Sequence, residues 1–223
     1  VNPATPPTPS TDPGGSAPAP VIDTVLFDFG NVLVTWDPYA AYEGRMARAD
    51  VEAFFEAVDF PTFNARQDAG RSWADARREL AEHHPEHVST LDVYTENFAA
   101  SLVGPVPGTE EVVRELRALG VRLYGLTNWS AEMFHEAEPA APAVGLMEDV
   151  LVSGRVGLVK PDPRIFEVAA ERFALDPART LFVDDSVANV TAARALGFRT
   201  LRFEHVEGLR ARLRELGVQV AAA

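Results

Sequence analysis

Lys160 is the only lysine in a chain whose other nineteen basic residues are all arginine. An ammonium on a flexible stem is a compact point charge that a planar guanidinium does not imitate, so the question is what that charge faces. Three polar clusters answer it, each closing an apolar run. Asp28 follows Val25-Leu26-Phe27, Thr127 and Asn128 end the run that begins at Val121, and Asp184-Asp185 follow Leu181-Phe182-Val183. A lone carboxylate, a hydroxyl beside an amide, a pair of acids and one cation are the parts needed for phosphoryl transfer through an aspartyl intermediate. In that chemistry Asp28 attacks phosphorus. A magnesium ion near Asp28, Asp184 and Asp185 offsets the repulsion between anionic nucleophile and anionic phosphate. Thr127, the backbone amide of Asn128 and Lys160 bind the phosphoryl oxygens as charge redistributes.

The elements that must position these groups read as an alternation. Strands are expected at 25–28, 121–126, 149–152, 180–184 and 199–203, and helices at 109–119, 130–137, 162–174, 186–196 and 206–216. Such alternation predicts an α/β fold, a Rossmann-like parallel sheet flanked by helices with right-handed crossovers. Ligands of open α/β sheets bind at the carboxyl ends of the strands, which is where all three clusters fall. After the first strand, residues 38–103 show no strand pattern. Helices are expected there at 39–49, 51–58, 72–83 and 88–102, with Asp50 and Ser72 as N-caps. The organisation that follows is a disordered Pro/Ala-rich tail at 1–20, a core at 21–37 and 104–223, and an inserted all-helical cap domain at 38–103.

Within the insertion, 63–71 is a polar run with a glycine between two helices, and Asn64, Asp68 and Arg71 are its candidates for substrate contact. Trp36 and Trp129 adjoin two of the clusters and are candidate pocket walls. His83, His84 and His87 have a proline among them and no fourth ligand in view, and read as a solvated helix end.

Asp28-Phe29-Gly30-Asn31-Val32-Leu33, Leu126-Thr127-Asn128, Lys160-Pro161-Asp162-Pro163 and Phe182-Val183-Asp184-Asp185-Ser186-Val187-Ala188-Asn189 resemble, in order and spacing, the four motifs of the haloacid dehalogenase superfamily, and the resemblance covers roughly 21–205. It implies that Asp28 is the nucleophile, that the carbonyl of Gly30 is a backbone magnesium ligand, that Thr127 and Lys160 bind phosphoryl oxygens, and that Asp184 and Asp185 are the metal acids. Ser186 and Asn189 are expected to orient the acids or cap the following helix, capping being the expected use of both. The helical insertion takes the place of the family's small cap, which closes over the sheet and restricts entry to small molecules.

One departure matters. Phosphatases of the superfamily usually carry a second aspartate two positions after the nucleophile, which protonates the leaving oxygen and later activates water; here Gly30 stands there. A general acid of this kind is worth about 10²–10⁴ in rate, so either the leaving group needs little protonation or the cap supplies an acid. The haloacid dehalogenases also lack this acid, attack carbon and need no metal, but usually show serine in place of the Asp184-Asp185 pair. Adjacent acids without a cation repel one another and a carboxylate substrate, so the pair favours magnesium and phosphate. A third reading, a non-catalytic binder of phosphorylated metabolites, gives no use to an intact Asp28.

The composition bounds the partners. A net charge of −13 argues against nucleic acid and anionic membranes, whose binding rests on basic patches. No run approaches transmembrane length, and the absence of cysteine removes disulfide and thiol chemistry. The expectation is a cytoplasmic magnesium-dependent hydrolase of a small phosphorylated metabolite, acting as a monomer or homodimer.

Overall fold

The computed structural model describes residues 22–221; the expected tail lies outside them. Five strands form one parallel sheet in the order β5-β4-β1-β6-β7. They are β1 (Thr24–Phe27), β4 (Arg122–Thr127), β5 (Asp149–Val152), β6 (Thr180–Asp184) and β7 (Arg199–Arg202). β1 and β6 are buried along their whole length, which is why they read as continuous apolar runs and not as alternation. Alternate residues still separate: Val25, Phe27, Leu181 and Val183 join the larger core, whereas Leu26 and Phe182 join a second core with Ile165 and Phe166 on the other face. After β1 the chain builds β4 and β5 on one side and then returns to build β6 and β7 on the other. The strand order therefore reverses at β1, and Asp28 stands at that crevice.

The packing beside Asp28 is tight. A Cβ on Gly125 of β4 would lie 2.4 Å from Phe29 Cζ, so Phe29 seats on the sheet only because residue 125 has no side chain.

A strand pair flanks the expected helical insertion and takes only its last two residues, 102 and 103. Residues 34–36 (β2, Val34–Trp36) and 102–105 (β3, Leu102–Pro105) pair antiparallel, so the chain leaves and returns to the core side by side. β3 was hidden in sequence because Gly104 and Pro105 weaken a strand reading. The helix expected at 39–49 is a 3₁₀ turn at Pro38–Tyr42 followed by turns. α1 (Arg48–Val58) starts with Ala47 at its N-cap, and Asp50 lies inside its first turn, where a carboxylate meets the helix dipole without capping. Asp59 in the left-handed region, φ 47°, divides α1 from α2 (Phe60–Asp68). α2 replaces most of the expected polar loop: Pro61 opens a helix readily, and Asn64 and Asp68 stand four apart on one of its faces. α3 (Trp73–His83) is capped by Ser72, whose hydroxyl accepts from Asp75 N–H at 3.0 Å. The helix expected at 88–102 is broken at Asn97 into α4 (Val88–Glu96) and a short helix at Phe98–Ser101. The segment expected as a helix at 130–137 is irregular, with a 3₁₀ turn at Phe134–Glu136 and a short helix at Ala137–Ala140.

Candidate active site

The carboxyl ends of β1, β4 and β6 converge on Lys160. Its Nζ lies 2.9 Å from Asp28 Oδ1 and 2.7 Å from Asp184 Oδ2, and donates to the Leu126 carbonyl at 2.9 Å. An ammonium has three donors, and this tripod uses them all. Lys160 is 3% exposed. Burial works against its charge, but Asp28 and Asp184 outweigh burial and hold its pKa above the ordinary lysine value.

The loop that carries Lys160 is clamped to the end of β4. Asn128 Nδ2 donates to the Lys160 carbonyl at 3.0 Å, and Lys160 N–H donates to Asn128 Oδ1 at 2.8 Å. The Asn128 side chain is thus a positioning group; only its backbone amide is left for the phosphoryl role expected of this residue. Thr127 Oγ1, by contrast, is buried with no partner among the described residues. A buried hydroxyl without a partner is costly and suits a bound oxyanion.

The three acids differ. Asp28 stays in the β1 ladder through its N–H, 2.9 Å from the Val183 carbonyl, and its carboxylate accepts from Phe29 N–H at 2.7 Å. Burial raises its pKa; Lys160 pulls it back, and Asp184 adds to the rise. Asp184 accepts from Lys160, from Ser186 N–H at 2.8 Å and from Asn189 Nδ2 at 3.0 Å to each oxygen. Four hydrogen bonds from these three donors fill the lone-pair sites of one carboxylate. Asn189 is therefore an orienting group and not the expected cap, while Ser186 does cap the helix Val187–Ala195. Asp185 is half-buried, and its pKa is raised by burial and then by Asp184.

Carboxylate oxygens of Asp28, Asp184 and Asp185 lie within 4.8 Å of one another. One ammonium among three carboxylates leaves two negative charges, and a hard divalent cation with oxygen ligands fits that donor set. With Asp184 saturated, Asp28 and Asp185 are the acids free to meet the ion, Asp184 contributing its charge. Gly30, two residues beyond Asp28, lines a cavity together with Asn128.

Two groups reach this edge from elsewhere. Asp68, at the end of α2, lines the cavity with Gly30 and Asn128. Its carboxylate receives the Ser130 backbone N–H and Asn64 Nδ2 at 3.3 Å. Burial, and then the negative charge of Asp28, push its pKa up to about 7. Its carbonyl accepts from Ser153 Oγ at 2.6 Å, and Ser153 Oγ in turn accepts from Trp129 N–H at 2.9 Å. Ser153 was missed in sequence although it follows the apolar run of β5, the same signal that marks the other three strand ends. Arg71 is turned away: it bonds Glu79, Gln67 and the Phe63 carbonyl and does not line this cavity. Trp36 and Trp129 both line it. Among the described residues the three histidines enter no cluster of metal-ligand type.

The haloacid dehalogenase-like hydrolase family matches residues 22–197. The chain belongs to that family. It is 25% identical over 173 residues to the sesquiterpene phosphatase astK of Aspergillus oryzae, covering 77% of this chain and 85% of that protein. It is 26% identical over 196 residues to the glyceraldehyde 3-phosphate phosphatase of Pyrococcus abyssi, covering 83% and 82% respectively. In fold it is similar to the HAD family enzyme BT-2542 of Bacteroides thetaiotaomicron in complex with magnesium and inorganic phosphate, with a TM-score of 0.67 and 23% identity over 82% of this chain and 94% of that one. As a haloacid dehalogenase-like hydrolase, the chain departs from the superfamily's usual phosphatase pattern at Gly30. Space does not impose that departure, since a Cβ at Gly30 would meet nothing within 4 Å.

Proposed function

We propose that this hydrolase is a magnesium-dependent phosphatase that cleaves a small phosphate monoester through an aspartyl-phosphate at Asp28. The observation that carries the reading is the set of three carboxylates around one lysine, beside the buried and unpartnered hydroxyl of Thr127. Relatives that are phosphatases, matched over most of their length, support it. Asp28, Asp185 and the Gly30 carbonyl would hold magnesium, which would supply positive charge against the phosphoryl oxygens. Asp28 forms the new oxygen–phosphorus bond as the ester bond breaks, with Thr127, Lys160 and the Asn128 amide around the transferring group.

The proton for the leaving oxygen is assigned to Asp68. It lines the same cavity as Gly30, and a pKa near 7 keeps much of it protonated at neutral pH. After transfer its carboxylate takes a proton from the water that attacks phosphorus, which releases inorganic phosphate and restores Asp28. The helical segment thereby acts as a cap that completes the site. A dehalogenase would leave three carboxylates facing one ammonium and a carboxylate substrate, so this arrangement favours phosphate.

The test is release of inorganic phosphate from a panel of sugar, polyol, alkyl and aryl phosphates, with magnesium or with chelator, by the parent protein and Asp28→Asn. Release that requires both the metal and Asp28 is expected. Release that survives Asp28→Asn would remove the aspartyl intermediate, and no release from any ester would remove the phosphatase.

A further inference from the structure

The space open to whatever the phosphate is attached to is the cavity at Gly30 and Asn128, about 90 Å³, walled by Trp36, Trp73, Tyr94, Phe98 and Trp129. The rings brace one another: Trp73 lies 5.6 Å from Tyr94, Tyr94 5.8 Å from Phe98, and Phe98 6.3 Å from Trp129. The polar side chains here are largely spent within the protein. Asn128 holds Lys160, Ser130 Oγ accepts Trp73 Nε1 at 3.1 Å, and Asn64 bonds Asp68. The Trp129 indole N–H and the Tyr94 hydroxyl are buried without partners among the described residues, two isolated polar points in an otherwise aromatic wall. No arginine, lysine or histidine lines the cavity.

The apolar surface continues outward. A second cavity shares Trp36, Asn64 and Asp68 with the first and runs past Tyr39, Phe55 and Phe60. Phe60 lies 5.4 Å from Tyr94 and 3.9 Å from Phe55, and Phe55 lies 4.7 Å from Tyr39, so one aromatic wall runs from the reacting edge to the rim. Arg48 stacks over Tyr39 at 3.5 Å but does not line this second cavity, and it pairs with Glu52 at 2.8 Å. Hydroxyls of a sugar would lose water without replacement along this wall, and a second anionic group would meet no countercharge.

We propose that the substrate is the monophosphate of an extended apolar alcohol, its chain lying along the Trp36–Phe60–Phe55 wall; this rests on the phosphatase reading. Bisphosphates, carboxylated phosphates and sugar phosphates are excluded as good substrates by the same wall.

The experiment measures kcat/KM for straight-chain alkyl monophosphates from ethyl to decyl, below their micelle concentrations, with glycerol phosphate and a hexose phosphate as polar controls. The expected slope is a rise of about 4-fold per methylene until the groove is filled, from about 0.8 kcal/mol per buried CH₂. Phe55→Ala, at the second cavity, is expected to flatten the slope for the longer chains, so that the ratio of decyl to ethyl phosphate kcat/KM falls. In parallel, the same chain-length series of non-hydrolysable alkylphosphonates is titrated against tryptophan fluorescence. All three tryptophans of the chain line the first cavity, and affinity should rise with chain length. Hydrolysis that is flat with chain length or better on the polar controls overturns the proposal and leaves the phosphatase standing. If no ester is hydrolysed, the phosphatase reading fails, and the phosphonate series alone decides the groove: a flat series overturns it and a rising one supports it.

Discussion

The carboxyl edge of the sheet and the helical segment above it solve opposite problems. At the edge, polar geometry is over-determined: Lys160 has three partners, Asp184 accepts four hydrogen bonds, and Asn128 holds its neighbouring loop by two bonds. In the helical segment the surface facing that edge is an aromatic stack with few polar points. Charges that must sit within tenths of an ångström of a reacting group need such a network, whereas discrimination among substrates by an apolar wall needs only shape and area. The two regions meet through a small set of bonds, Ser153 to Asp68, Ser130 to Trp73 and Asp68, and Glu132 to the N–H of Trp73.

The largest test of this contrast is Lys160→Met. Removing the one cation leaves Asp28 and Asp184 buried and uncompensated, and breaking a buried pair costs about 3–5 kcal/mol. Activity should fall below detection, and urea unfolding should show the loss of stability. Lys160→Arg should not restore either, because a planar fork cannot reproduce the tripod. A Lys160→Met protein as stable as its parent would mean that the edge is not held by this network.

Asp68→Asn sharpens the boundary between the regions. Turnover of alkyl phosphates should fall by about 10²–10⁴ while aryl phosphates, whose leaving groups need little protonation, fall much less. Gly30→Asp in the same protein should recover part of the loss. The substitution also has a pH signature. A carboxyl whose pKa is pushed up to about 7 in the fold from its ordinary 3.8 stabilises the fold in its protonated form, and that contribution is lost as pH rises through 7. Asp68→Asn should therefore gain in Tm relative to the parent between pH 4 and 7, and the gap should level off above that. A gap independent of pH would show that Asp68 is ionised in the fold throughout.

The smallest effect belongs to Arg71→Ala, wholly on the helical side. Its bonds to Glu79, Gln67 and the Phe63 carbonyl brace α2 against α3, so a loss of about 1–2 kcal/mol is expected with kcat unchanged. A fall in kcat at constant KM would give Arg71 a role in the reaction that its position does not suggest.

The sequence made the edge legible because each site residue there follows an apolar run, and a residue that ends a buried parallel strand must stand at the ligand-binding side. Asp28, Thr127 and Asp184 could be placed by that rule alone, and Ser153 obeyed it unnoticed. The helical segment was harder to read. Period and polarity suggested a loop where α2 carries Asn64 and Asp68, because a helix with both a solvent face and a polar site-facing side has no clear amphipathic stripe. β2 and β3 are too short and too broken by Gly104 and Pro105 to announce themselves. The pairing of Asn189 with Asp184, in place of capping, depends on the side chain's position in space, which spacing alone does not give.

Lys160 carries the only side-chain amine of the molecule, and it is 3% exposed and fully bonded. Acylating reagents, amine-directed cross-linkers and enzymes that build isopeptide bonds therefore find no lysine target on the outside of this protein. Any such label on a side chain must wait for the edge to open, and the moment it attaches it erases the one cation among the site's carboxylates.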